Sequence, residues 1–128
     1  MVRGMVAEAC GEFQQATESD PASSMAWANL GAAESTLGHR DEARRSLDQA
    51  LRLDAGNWLA HYNLGLLAAR DGDRDGALRH CEQALGSLPN SMGRERRALV
   101  HELLQEPSLA EVRKDPRFEE LLGGGDRP

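Results

Sequence analysis

The sequence predicts an all-α fold of stacked, antiparallel helix pairs, and three observations predict it. The chain repeats with a period of 34 residues, apolar positions inside each period fall at helical spacing, and glycine and alanine return at fixed phases. A 34-residue shift aligns Asn29-Leu30-Gly31 with Asn63-Leu64-Gly65, Gly38 with Gly72, Asp41 with Asp75, Ala43 with Ala77, and Gln49-Ala50-Leu51 with Gln83-Ala84-Leu85. The same shift backwards places Gly4 under Gly38, Ala9 under Ala43, Phe13 under Leu47 and Ala16 under Ala50. A period of this length marks units that bury their apolar faces only against neighbouring units.

Each unit reads as two helices. In residues 24 to 37 the positions Met25, Ala28, Leu30, Ala32, Ala33 and Leu37 recur at helical spacing, and Gly38-His39 stops the run. Residues 41 to 54 are expected to begin at Asp41 as N-cap and to carry Ala43, Leu47, Ala50 and Leu51 on one face. The next unit repeats this as 58 to 70, capped by Asn57, and 75 to 87, entered through Asp73 or Asp75. Turns this short make each pair antiparallel. Glycine inside a helix costs about 1 kcal/mol relative to alanine, so Gly31 and Gly65 at one phase mark close helix crossings.

Composition agrees. The 128 residues hold only two Trp, one Tyr and two Phe, so alanine and leucine must fill thin packing layers. A net charge of −6 argues against general nucleic-acid binding, the one local basic excess being Arg94, Arg96 and Arg97. No apolar run is long enough for a membrane span, and an acid at Glu8 interrupts any leader-like segment, so a soluble, cytoplasmic protein is expected. Cys10 and Cys81 lie far apart without a paired motif, and are read as two reduced thiols. Fourteen arginines against the single Lys114 hint at a GC-rich bacterial genome.

On these residues the chain resembles the tetratricopeptide repeat (TPR) family. Residues 24–57 supply Trp27, Leu30, Gly31, Gly38, Ala43, Leu47 and Ala50, with Ala55 where the family prefers proline. Residues 58–91 supply Leu64, Gly65, Gly72, Ala77, Ala84 and Pro89, with His61 in place of the tryptophan and Cys81 in place of an aromatic. Residues 1–23 match the second half of a unit through Ala9, Phe13, Ala16 and Pro21. The family's first-helix tyrosine is replaced by Glu34 and Ala68. The resemblance implies a right-handed superhelical stack. Residues 92–106 are then expected to form a capping helix, 107–123 short C-terminal helices and 124–128 a disordered tail. Ser108 to Glu111 has capping-box spacing, and Asp115-Pro116 opens a helix carrying Phe118, Leu121 and Leu122.

One motif competes. Asp71, Asp73, Asp75, Gly76, Leu78 and Glu82 satisfy a calcium-loop spacing, but a helix from about residue 75 cannot also wrap an ion through residue 82. No nucleophile elbow, phosphate loop or paired-histidine metal motif is present, so no catalytic residue, metal or cofactor is expected. Of the histidines, His39 falls at a turn, His61 on a packing face, and His80 and His101 on mostly exposed faces. His61 and Cys81 could approach as a nucleophile pair, but both stand at packing phases, which favours a packed imidazole and an inert thiol.

Function is then expected from a surface. The resemblance implies that first helices line a concave groove for a peptide or partner helix. By phase the groove carries Met25, Ala28, Asn29, Ala32 and Thr36, then Leu59, Tyr62, Asn63, Leu66 and Arg70, then Arg96, Arg97 and Val100. Asn29 and Asn63 suit a ligand backbone, and Tyr62 a rigid anchor. Comparison with chaperone-type TPR domains matches Asn63 and Arg97 but leaves Ala28, Ala32 and Gly93 at other polar positions, so a full carboxylate clamp is not expected. The reading is a non-catalytic adaptor with a protein or peptide partner, apolar and then acidic. The alternative is self-association as a homodimer or a structural segment of a larger protein. In that case the open face of the first helix, with Val6, Cys10 and Phe13, is covered by another copy or by the chain's own C-terminal helix.

Overall fold

A computed structural model describes residues 2–123, and the expectation of a disordered tail over 124–128 lies outside them. The described residues form seven α-helices and no strand: α1 (Val2–Ser19), α2 (Ser24–Thr36), α3 (Arg40–Leu53), α4 (Trp58–Arg70), α5 (Arg74–Gly86), α6 (Gly93–Gln105) and α7 (Pro116–Gly123). Helices α2 and α3 pack against each other, as do α4 and α5; α1 stands in the sequence phase of α3 and α5, and α6 follows the second pair.

The turns inside the pairs follow from glycine. Gly38 and Gly72 adopt φ of 84° and 79°, a conformation that side chains disfavour. This bend lets the His39 and Asp73 amides reach back to the carbonyls of Glu34 and Ala68 at 2.9 Å each, closing the last turns of α2 and α4. Gly4, at the same phase, lies inside α1 and makes no such turn.

Helix starts are set by side-chain caps. Ser23, Asn57 and Asp73 accept from the amides of Ala26, Ala60 and Gly76. The expected cap at Asp41 is corrected: α3 begins at Arg40 after an uncapped His39, and Asp41 and Glu42 occupy its first turn, where acids favour the positive helix end. Of the alternatives for α5, Asp73 is the cap and Asp75 lies in the first turn.

Packing runs in layers. Cys10, Leu30 and Ala33 form one cluster, between α1 and α2. Ala28, Ala43, Leu47, Ala50, Ala60, Leu64 and Leu67 form a second. A third, larger one at the C-terminal end joins Tyr62, Leu66, Cys81 and Leu85 to Leu99, Leu103, Leu109 and Phe118. Small residues permit the crossings: a Cβ on Gly31 would stand 2.6 Å from Leu47 Cδ2 and 3.2 Å from the Ala43 carbonyl. At Gly65 the corresponding neighbours are Cys81 Sγ at 3.3 Å and the Ala77 carbonyl at 3.4 Å. At the phase of the family tyrosine, Glu34 is buried and accepts from Ser46 Oγ at 2.6 Å; burial pushes its carboxyl pKa up.

The C-terminal segment departs from expectation. Ser108 does not cap a helix; its amide donates to Glu106 Oε1, and residues Pro107–Leu109 and Val112–Lys114 form separate 3₁₀ turns. Asp115 does precede a proline-led helix, and accepts from the Arg117 amide at 2.9 Å. That helix, α7, packs against α5 through Phe118, so the expectation that it covers the open face of α1 is corrected.

Candidate functional site

The expected groove is divided by the chain itself. At its C-terminal half, the Pro107–Leu109 turn lies over α4, and Leu99 and Leu103 of α6 share the same core cluster. Tyr62 and Leu66 are buried in the third cluster together with Leu109, which has no exposed surface. Burial raises the Tyr62 phenol pKa, with Glu106 and Glu102 adding to the effect. Arg70 crosses the same face as a strut, donating from Nε to Ser108 Oγ at 2.9 Å and from Nη1 to Ser35 Oγ at 2.8 Å. Tyr62 and Leu66 are therefore enclosed by the chain itself, and the Arg70 guanidinium, though exposed, is engaged in these bonds.

Other assignments change for local reasons. Ala28 is 0% exposed, enclosed in the second cluster, and does not line a groove. Asn63 is buried and its amide donates to the Leu59 carbonyl of its own helix at 3.0 Å, not to a neighbouring helix. Arg96 donates to the Leu85 carbonyl at 2.7 Å and faces a charged cleft between α5, α6 and α7. Val100 is half-buried against the third cluster, Arg97 is exposed on α6, and Met25 is exposed at the start of α2.

What stays open is the N-terminal half. Asn29, Ala32, Thr36 and Leu59 share a cleft of about 560 Å³ with Met5, Val6, Ala9 and Phe13 of α1 and with Ala33. The concave groove and the open face of α1, separate surfaces in the sequence pattern, are thus one surface. The signal for the α1 residues was present: Ala9 and Phe13 stand at the phases of Ala43 and Leu47. Met5, on the cleft's edge, is 69% exposed. The walls are apolar apart from the Asn29 amide and the Thr36 hydroxyl, and Thr36 Oγ1 already donates to the Ala32 carbonyl. Such a surface can bury apolar side chains but has no group placed for bond-making chemistry.

The chemically suggestive residues elsewhere are packed. Cys81 is fully buried and its thiol pKa is pushed up to about 12 by that burial. His61 is buried with Nε2 2.9 Å from the Ala55 carbonyl, which sets that nitrogen as donor; its ring lies 5.8 Å from that of His80. His80 is therefore not on an open face. The calcium-loop carboxylates serve different partners: Asp71 pairs with Arg40 and Arg44, Asp73 caps α5, and Asp75 pairs with Arg117.

A family model described as tetratricopeptide repeat matches residues 33–92, from within α2 to the turn before α6. Over those residues the chain is made of tetratricopeptide repeats. No curated protein matches it. Repeats of this family are generally protein-interaction modules and typically non-catalytic. Among the described residues, no helix is long and apolar enough to cross a membrane.

Proposed function

We propose that this chain is a non-catalytic adaptor that holds a protein partner in the cleft between α1, α2 and the start of α4. The observation that carries the reading is the open apolar cleft lined by Val6, Ala9, Phe13, Ala32 and Leu59, on a stack in which Tyr62 and Leu66 of α4 are enclosed by the chain's own residues. Exposed apolar concavities of this kind mark binding surfaces more often than inert ones. Asn29 offers a donor and an acceptor on one wall, enough to orient a bound segment without dominating its affinity. The sequence expectation of a cytoplasmic protein without cofactor belongs to the same reading.

Selection of a displayed peptide library on the full chain, with Ala32→Arg as the counter-target, tests it. The proposal expects enriched peptides with several apolar residues that lose most of their affinity for Ala32→Arg. Enriched peptides that bind both proteins equally would contradict it.

A further inference from the structure

The repeat itself says what shape of ligand the cleft accepts. One unit along the chain, the space bounded by α3 and α4 is filled by α2. There, Gly31 of α2 crosses Ala43 and Leu47 of α3. On the other side, α2 meets α4 through Arg70, which bonds Ser35, and through Leu67, which shares a cluster with Ala28. The next pair repeats the crossing with Gly65 against Ala77 and Cys81.

Both walls of the cleft are the counterparts of that enclosure. A shift of 34 residues takes Ala43 and Leu47 to Ala9 and Phe13, and takes Leu67 and Arg70 to Ala33 and Thr36. All four line the cleft. Among the described residues, no helix lies on α1 in the place that α2 takes on α3. The cleft therefore continues an enclosure that the fold builds around α2, with a close crossing that it builds twice.

Charge adds a second requirement. Ser46, which bonds Glu34 of α2, corresponds to Glu12 on α1, and Glu42 corresponds to Glu8. Glu8 and Glu12 are both exposed. One turn apart on the same helix, they stand outside the cleft lining, at the phases where Glu42 and Ser46 of α3 stand relative to α2. Glu34 of α2 stands three residues beyond Gly31, so the matching position of an occupant faces a carboxylate where α2 faces a hydroxyl.

We infer that the occupant is an amphipathic α-helix of a partner protein, with glycine or alanine where it crosses Ala9 and Phe13 and with lysine or arginine three residues further on. This deepens the adaptor reading and rests on it. The bound helix completes a repeat unit: its small residue admits close approach to α1, its apolar stripe covers Ala32 and Ala33, and its basic residue meets Glu12.

The chain supplies its own probe. A stapled helical peptide copying residues 23–37, with Glu34→Lys, is titrated against the full-length protein by fluorescence polarisation. The inference expects saturable binding, weakened about tenfold or more by Gly31→Leu in the peptide, since a large side chain at a close crossing is strongly disfavoured. Glu12→Lys in the protein should weaken it about tenfold, and the peptide with the original Glu34 should recover the loss on that variant. Circular dichroism of Glu12→Lys and Ala32→Arg checks that the fold is retained. No binding, or binding indifferent to Gly31→Leu and Glu12→Lys, overturns the inference. So does a concentration-dependent dimer in sedimentation that Ala32→Arg dissolves, because the occupant is then a second copy. The library selection separates the two levels. Selected peptides that need Ala32 yet tolerate a central proline leave the site standing and remove the helical occupant, whereas selected peptides indifferent to Ala32→Arg remove both.

Discussion

Gly31 and Gly65 occupy one phase but meet different neighbours. An alanine at either gains about 1 kcal/mol in helix propensity. At Gly31 the added carbon falls on the Leu47 side chain and close to the Ala43 carbonyl, whereas at Gly65 the contacts, at 3.3 to 3.4 Å, need only small adjustments. Gly31→Ala should therefore cost about 1–2 kcal/mol net, as overpacked cores do, while Gly65→Ala should stay within about 1 kcal/mol of the wild type. Urea unfolding midpoints of the two variants check the contrast. His80 sets a pH dependence. Burial first, then His61 and Arg79, lower its pKa, with Asp73 and Asp48 pulling the other way. The unfolded imidazole takes up a proton near its ordinary value while the folded one resists, so its contribution is present above that value and stability falls on acidification from pH 7 to 5. His80→Asn should flatten part of that fall, measured as the shift of the urea midpoint between the two pH values. The close crossings were legible at Gly31 and Gly65 because glycine weakens a helix interior and returns stability there only where two backbones approach. The burial of His80 against His61 was not, since it depends on how two helices are rotated about their axes.

At the scale of elements, the C-terminal helix is held by packing more than by charge. Phe118 is 2% exposed within the third cluster, and Phe118→Ala should cost about 3–5 kcal/mol. Arg117 links α7 to Asp75 at 2.7 Å and to the largely buried Asp115 at 2.9 Å, but its own side chain and Asp75 are exposed, so Arg117→Ala should cost clearly less than Phe118→Ala. Thermal melts of the two variants decide between packing and charge. Hydrogen bonds from Arg117 hold the Asp115 carboxyl down to about 2, so what this group contributes is present above the usual carboxylate range and is lost as pH falls towards 2. The helix starts at Trp58 and Pro116 were readable from cap chemistry, because Asn and Asp satisfy first-turn amides at fixed offsets. The segment after α6 was not. The Ser108 to Glu111 spacing is right for a capping box, yet Glu106 captures the Ser108 amide first, and Arg113 binds the Leu103 and Glu106 carbonyls. Sequence spacing does not rank such competing local bonds.

Over the whole molecule, the layers make stability a matter of neighbours, and α1 packs mainly against α2 while α4 lies between two units. Amide exchange should accordingly be faster in α1 than in α4, as local opening follows contact density. The concave face was readable from the repeat phase alone only where the chain leaves it uncovered. Asn29, Ala32 and Leu59 stand open, while Tyr62, Leu66 and Arg70 are claimed by a turn whose path no periodicity encodes. The central claim is that ligands enter between α1 and α2. A titration of the full chain with a library-selected peptide, followed by residue-resolved NMR shifts, tests it most directly. Shifts should concentrate on Val6, Ala9, Phe13, Asn29, Ala32 and Leu59. Shifts centred on Tyr62, Leu66, Arg97 and Val100, with α1 unmoved, would contradict it.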